Sequence, residues 1–280
     1  MKSSMLTTRV FTMPALSAAA ARTLQLLQHP QVDPVRIARL MESDAPWTAA
    51  VLQLAGSPLW GRNGSPVDLR DAIGVLGLRR FYQLVAVAAV RPLLQPALRG
   101  YGLGDGELWD HSLAVAIATR ELLLERGLKP CEEAFTAAVL HDVGKLVLGT
   151  ALEAEMGPAG PGSENTVFEE TEVRAAGTDH AEAGARLLEH WKMPYWLVTA
   201  VRTHHTPADG SFLIADLVHL ADALCLSAGV GAGADGLRHR VSPEVSQRWN
   251  LSRRSLERVL GRTLETLAEA KALPIIGGRR

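Results

Sequence analysis

The residues of this sequence whose types and positions could do chemistry are histidines and aspartates, nearly all in its second half. His141 and Asp142 are adjacent within AAVLHDVGKLVLG, an apolar run read as one continuous helix. Burying an imidazole and a carboxylate there without partners would cost on the order of several kcal/mol. A divalent cation is a partner that stabilises both, because imidazole and carboxylate are ordinary ligands for such ions. Further candidates fall on other predicted helices: His111, His180, the adjacent pair His204 and His205, and Asp222 in LVHLADALC. Seven candidate ligands exceed what one tetrahedral ion needs, and they fit two ions that share a bridging carboxylate. Plainer roles exist for each, such as a buried hydrogen-bonded pair or, for His180, a helix cap. His29, His190, His219 and His239 are assigned to such roles or to the surface.

The elements that must position these groups read as helices throughout. Aromatic residues are 5% of the chain, β-branched runs are scarce, Ala and Leu are abundant, and no β-alternation stands out. Pro14 opens a predicted helix with Leu16, Ala20, Leu24 and Leu27 at helical spacing. Asp33-Pro34 supplies a cap and first residue for a second, and Pro46 opens a third. A short helix from Leu69 to Leu76 ends at Gly77, and residues 79–90 form a nearly all-apolar one expected at the centre of the N-terminal half. The tract from Pro92 to Gly106 holds two Pro and four Gly and marks a predicted domain boundary near residue 100. Helices are then expected from Glu107 to about Arg126, from Pro130 to Gly149, over 169–176, from His180 to His190, from Pro194 to about His205, over 212–227, after Ser242-Pro243, and over 251–271. The segments 157–165 and 229–236 read as loops.

The chain has 280 residues, 47% hydrophobic and 21% charged, which describes a folded globular protein with a sizeable core. With 29 basic and 30 acidic residues it carries no global positive charge, so direct nucleic-acid binding is not expected. Arg79, Arg80, Arg253 and Arg254 form small basic spots, read as solvated faces rather than phosphate contacts. Two cysteines exclude a disulfide scaffold and a Cys-rich metal site. No apolar stretch is read as long enough to span a bilayer, FYQLVAVAAV being the best candidate. VFTMPALSAAAA after Lys2 and Arg9 is read as a mature N-terminus rather than a signal peptide. The expected location is the cytoplasm, without membrane association.

The order His, His-Asp, a Lys, His, His-His, Asp resembles the HD superfamily of metal-dependent phosphohydrolases. His180, His204 and His205 resemble its dinuclear HD-GYP branch, which cleaves cyclic di-GMP. The N-terminal stretch MPALSAAAARTLQLLQHPQVDPVRIARLMESDAPWTAAVLQLAGSPLWG and the later DAIGVLGLRRFYQLV resemble the HDOD family more specifically. So do LWDHSLAVA, AFTAAVLHDVGKLVLG, GTDHAEAGARLLEHWKMP and His204-His205-Thr-Pro. The resemblance covers roughly residues 13 to 225. It implies an all-α, HD-domain-like helical bundle (101–280) with an additional N-terminal helical subdomain (1–100). HDOD domains act in bacterial signal transduction, and many have lost metal ligands, whereas the ligand set here is complete. Asp209-Gly210 stands as in HD-GYP, but the following Gly-Tyr-Pro is replaced by Ser211-Phe212-Leu213.

Carried over residue by residue, the resemblance implies that His111, His141, Asp142 and Asp222 hold one ion and His180, His204 and His205 the second, with Asp142 bridging. Iron or manganese suits the mixed set, and zinc is possible. Asp142 and Lys145 are then the catalytic candidates. Lys145 either binds a phosphate oxygen or is a snorkelling surface lysine. Glu169 and Glu172 are read as a solvated helix face, with orientation of a ligand histidine as the alternative. The implied function is a regulatory signalling protein with a protein partner and a dinuclear site. The alternative is an active phosphodiesterase or phosphohydrolase on a nucleotide or other phosphoester.

Overall fold

The computed structural model describes residues 15–29, 31–60, 66, 68–156, 168–207, 213–233 and 241–272. The segments 1–14, 157–165 and 234–236, His239 and Ser211-Phe212 lie outside the described residues. Thirteen α-helices run through the described chain: α1 (Ala18–Leu27), α2 (Pro34–Met41), α3 (Ala45–Ala55), α4 (Leu69–Val90), α5 (Glu107–Glu125), α6 (Glu132–Leu140), α7 (Lys145–Met156), α8 (Phe168–Ala176), α9 (His180–His190), α10 (Tyr195–Thr203), α11 (Leu213–Ser227), α12 (Pro243–Trp249) and α13 (Arg253–Ala272). No strand occurs among the described residues; the one β-type pairing is an isolated bridge between Leu98 and Leu103.

The helix starts follow the capping chemistry of the sequence. Ser17, Asp33, Asp44, Asp68, Asp179 and Ser242 each accept a hydrogen bond from a backbone N–H in the first turn that follows. Gly77 interrupts the helical backbone where the sequence places the end of the first helix: within α4 it takes φ 74° and ψ 161°, so two helical stretches meet there at a kink, and a residue with a side chain adopts that backbone at a cost. Beyond that kink Phe81–Val90 is buried at every position, because α4 packs on α1, α2 and α3 on one side and on α6 on the other. α4 thereby ties the N-terminal helices to the helix that leads into His141.

The helix expected from Pro130 to Gly149 is in fact two. α6 ends at Leu140, residues 141–144 form a turn, and α7 begins at Lys145. Close packing accounts for the break. A Cβ on Gly144 would lie 1.9 Å from the carbonyl oxygen of His180 and 2.5 Å from the backbone nitrogen of Gly184, so this turn rests directly on α9. His141 and Asp142 therefore occupy a bend between helices, not the middle of one.

Two helical runs, 69–94 and 132–154, have the length and apolarity of a membrane span, with mean hydropathies of 1.5 and 1.3. This corrects the expectation that no stretch qualifies. Each run continues through a kink or turn that looks like a boundary in sequence. Their apolar windows are 67% and 83% buried inside the fold, where α5, α6 and α11 pack on one another and α13 closes over α5.

Candidate metal centre

Seven residues predicted from sequence converge in one buried place. His111 comes from α5, His141 and Asp142 from the bend after α6, His180 from the first residue of α9, His204 and His205 from the end of α10, and Asp222 from α11. His111, His141, Asp142, His180, His204 and Asp222 are buried, and His205 is 15% exposed. Two groups could each hold a metal ion: His111, His141 and Asp142, and His180, His204 and His205. Within each group the ligand atoms lie within 4.8 Å of one another. Asp222 adjoins the first group, its Oδ1 being 3.1 Å from His111 Nε2 and 3.8 Å from His141 Nε2.

Asp142 stands between the groups. Its Oδ2 lies 3.6 Å from His111 Nε2 and 3.3 Å from His141 Nε2, while its Oδ1 lies 3.1 Å from His180 Nε2. His204 completes the bridge, with its ring centroid 5.2 Å from that of His141 and 5.4 Å from that of His180.

The tautomers are set from outside. His111 Nδ1 donates to Val230 O at 2.9 Å, His141 Nδ1 to Ala138 O at 2.6 Å, and His204 Nδ1 to Val201 O at 2.7 Å. His180 Nδ1 donates to Glu172 at 2.8 Å, and His205 Nδ1 faces Glu169 Oε1 at 3.1 Å. A ring that donates through Nδ1 keeps its Nε2 lone pair for something else, which holds for His111, His141, His180 and His204; the Nε2 atoms of these four and of His205 turn inward. The Nε2 atoms of His111, His141 and His204 and the Oδ2 of Asp142 are buried without a hydrogen bond of acceptable geometry. The Nε2 atoms of His180 and His205 lie 2.7 Å apart, a contact that needs a shared proton or a cation. Buried lone pairs arranged in this way could hold a cation.

His219 provides the internal control. It is buried too, but it donates through Nδ1 to His204 O at 2.9 Å and accepts at Nε2 from Ser242 N at 2.9 Å. It is a satisfied core histidine, as expected from the sequence. His29 and His190 are exposed, also as expected.

Two sequence readings need correction. Lys145 is not a snorkelling lysine: it is 3% exposed, with Nζ 2.6 Å from Asp142 Oδ2 and 5.5 Å from the ring centre of Tyr101. Nor does Glu172 lie on a solvated face. It is fully buried and receives His180 Nδ1, the His180 backbone N–H at 2.9 Å, and the hydroxyl of Tyr101 at 2.6 Å. Glu169, 26% exposed, pairs with His205 instead of facing solvent alone. Tyr101 was not singled out at all, because it sits in the Gly/Pro tract read as a domain boundary. The glycines beside it were the available signal. A Cβ on Gly100 would lie 2.3 Å from Gly149 O, and Gly102 has φ 68°. Gly231 makes a similar approach, for a Cβ there would lie 2.4 Å from that of His111. The basic spots are ion-paired in part: Arg79 with Glu133, Arg80 with Glu132 at 2.9 Å, and Arg253 with Glu257 at 2.9 Å.

Electrostatics follow the contacts. Burial opposes the Asp142 carboxylate, but the neighbouring His141, Lys145 and His180 outweigh it and hold its pKa well below the usual range. Burial, reinforced by the neighbouring His141 and His180, pushes the pKa of His204 well down. For His180 burial is overcome by Glu172 and Asp142, which raise it well above the ordinary value. Next to these groups lies a cavity of about 10 Å³, bordered by Asp142, Lys145, Phe168, Glu169, His180 and His205, room for roughly one water.

The profile of the HDOD domain matches residues 13–207. The chain belongs to the HDOD family. An uncharacterized protein of Treponema pallidum (strain Nichols) is 23% identical over 220 residues, which cover 70% of this chain and 38% of that protein. The HDOD chain described here thus spans well under half the length of that curated relative. Among solved structures, an HDOD domain protein of unknown function from Geobacter sulfurreducens is similar, with TM-score 0.65, 22% identity, and coverage of 98% of this chain and 95% of that one. A Shewanella amazonensis SB2B protein whose name proposes a phosphohydrolase gives TM-score 0.63 at 23% identity, covering 98% and 95%. A Marinobacter aquaeolei VT8 protein whose name proposes signal transduction gives 0.65 at 21%, covering 99% and 66%. At such identities these likenesses concern the HDOD fold.

Proposed function

We propose that this HDOD chain is a cytoplasmic bacterial signal-transduction protein whose His/Asp centre holds two divalent cations. His111, His141, Asp142 and Asp222 hold one, His180, His204 and His205 hold the other, and Asp142 is shared. The observation that carries this reading is the inward orientation of the Nε2 atoms of His111, His141, His180 and His204, each enforced by an acceptor at Nδ1. Iron or manganese matches the mixed imidazole and carboxylate set, with zinc as the third choice. The regulatory reading is supported by the small cavity beside the centre, far below the roughly 300 Å³ at which ligand pockets begin. The output is contact with a protein partner, not with nucleic acid or membrane.

A second reading, phosphoester hydrolysis, is favoured by Lys145. Its ammonium beside Asp142 is placed to hold a phosphate oxygen if the centre opens. Bound cations would supply Lewis acidity and an acidified water there. Lys145 would orient the phosphoester, and Glu172 and Glu169 would keep the imidazoles of His180 and His205 aligned.

Elemental analysis of protein purified without chelators, beside Asp142→Ala, tests both readings. About two equivalents of iron, manganese or zinc, largely lost in the variant, with no turnover of cyclic dinucleotides or aryl phosphodiesters, is the expected result. Turnover that disappears in Lys145→Met would establish the second reading instead. Absence of metal, even after supply of reduced iron or manganese, would overturn both.

A further inference from the structure

Tyr101 lies in the tract read from the sequence as a domain boundary, in the short turn of 3-10 helix Arg99–Tyr101. It is fully buried, and the turn around it is closely fixed. Leu98 and Leu103 exchange backbone hydrogen bonds at 2.9 and 3.1 Å, and the Tyr101 N–H donates to Leu98 O at 2.9 Å. The turn also rests on α7, for a Cβ on Gly100 would lie 2.8 Å from the backbone nitrogen of Glu153 and 2.9 Å from Leu152 Cβ. A tyrosine held at this depth on such a backbone has its ring and its hydroxyl in set places.

Those two parts meet different members of the centre. The hydroxyl donates to Glu172 Oε1 at 2.6 Å, and the same carboxylate accepts from both Nδ1 and the backbone N–H of His180. The face of the ring lies under Lys145, whose Nζ is 5.5 Å from the ring centre and 2.6 Å from Asp142 Oδ2. An ammonium at that distance is attracted by the ring's negative face, and more so where water is excluded. Phe168 packs against the same ring, with centroids 5.6 Å apart. Filling space there would call for phenylalanine, which brings no polar atom into the interior.

We infer that Tyr101 is a positioning residue of the His/Asp centre with two separable contacts. Its hydroxyl fixes the Glu172 carboxylate, and through it the imidazole of His180, for the ion of His180, His204 and His205. Its ring holds the Lys145 ammonium beside Asp142. The consequence for the ion rests on the dinuclear reading proposed above, whereas the two contacts themselves do not.

The test uses the full chain with isotope-labelled histidine and lysine, metal-free and loaded with zinc. Tyr101→Phe keeps the ring and removes the hydroxyl, and Tyr101→Leu removes both. In Tyr101→Phe the Nδ1–H resonance of His180, assigned with His180→Gln, should move or broaden. Those of His111 and His141, anchored on backbone carbonyls, should stay in place. The Lys145 ε-methylene resonance, assigned with Lys145→Met and displaced by the ring current of Tyr101, should be kept in Tyr101→Phe and lose that displacement in Tyr101→Leu. In competition with a chelator dye, Tyr101→Phe should weaken the ion of His180, His204 and His205 about 5-fold, the ratio that one hydrogen bond supplies, and leave the other unchanged. A tyrosine that only filled the core would lower stability in both variants and leave the His180 and Lys145 resonances where they were. Either resonance unmoved in its own variant would overturn the inference, as would equal weakening of both ions. A parent protein that takes up no metal would remove the dinuclear reading alone, and the two resonances would still decide the role of Tyr101. Should Tyr101→Leu not fold, Tyr101→Met removes the ring with less loss of volume.

Discussion

The inner and outer histidine groups of the centre are built to one plan with different anchors. The inner group, His111 and His141, donates its Nδ1 protons to backbone carbonyls of Val230 and Ala138. The outer group turns to side chains at two of its three members, His180 to Glu172 and His205 to Glu169, while His204 keeps a backbone anchor at Val201 O. A carbonyl fixes a ring without adding charge, whereas a carboxylate also makes the imidazole more basic and a better ligand. Carbonyl anchors belong to the fold and change only when the fold does. Carboxylate anchors can be changed one at a time, and Glu172 is itself held by Tyr101. The inner group is sealed, and the outer one reaches the surface at His205.

The sharpest way to break this comparison is to remove ligands one group at a time. Asp142→Ala should cost both ions, because its two oxygens face both groups. His205→Ala should cost only the outer ion, leaving about one equivalent by elemental analysis. Equal losses in the two variants would mean that the groups are not independent. Next in size is the anchor itself. Glu172→Gln should weaken the outer ion about 10- to 100-fold in competition with a chelator dye, with the inner ion unchanged. Tyr101→Phe should act in the same direction and less.

A smaller effect is expected where a histidine is structural. His219→Leu leaves His204 O and Ser242 N without their partner and should lower stability by about 1–3 kcal/mol in urea unfolding, with metal content retained. The smallest concerns the outer end of α5, the helix that carries His111. Glu125 sits between Arg258 and Arg262, which hold its carboxyl at about 2, below the ordinary 4.5. A depressed carboxyl contributes stability above 4.5 and loses it as pH falls toward 2. Glu125→Gln should therefore show a shallower fall of Tm across that window. An equally steep fall would place the acid sensitivity elsewhere.

Much of the architecture was legible. Caps such as Asp33-Pro34, Asp179 and Ser242-Pro243 sit one residue from where the helices begin, because a side-chain acceptor and a preset φ are local properties. The break at Gly77 and the end of α4 near Val90 were legible, because a glycine and an Arg-Pro step are local signals. The end of α6 was not, since the break at His141 depends on the close approach of Gly144 to α9. The seven histidines and aspartates could be named from their types and from burial in apolar runs. Glu172 could be named only as the less favoured alternative, since a glutamate on a polar helix has an ordinary solvent-facing explanation, and Tyr101, in a Gly-rich tract, carried no such signal.

What the sequence by itself determined is therefore the helical class, the starts of most helices, the HDOD resemblance and the identity of the converging residues. All of these rest on local capping, composition and residue chemistry. Only the tertiary structure decided that Asp142 faces both groups, that Lys145 is buried beside it, and that every Nε2 turns inward. Those are relations between side chains far apart in the chain, set by which backbones can approach within van der Waals contact, and no local pattern encodes them.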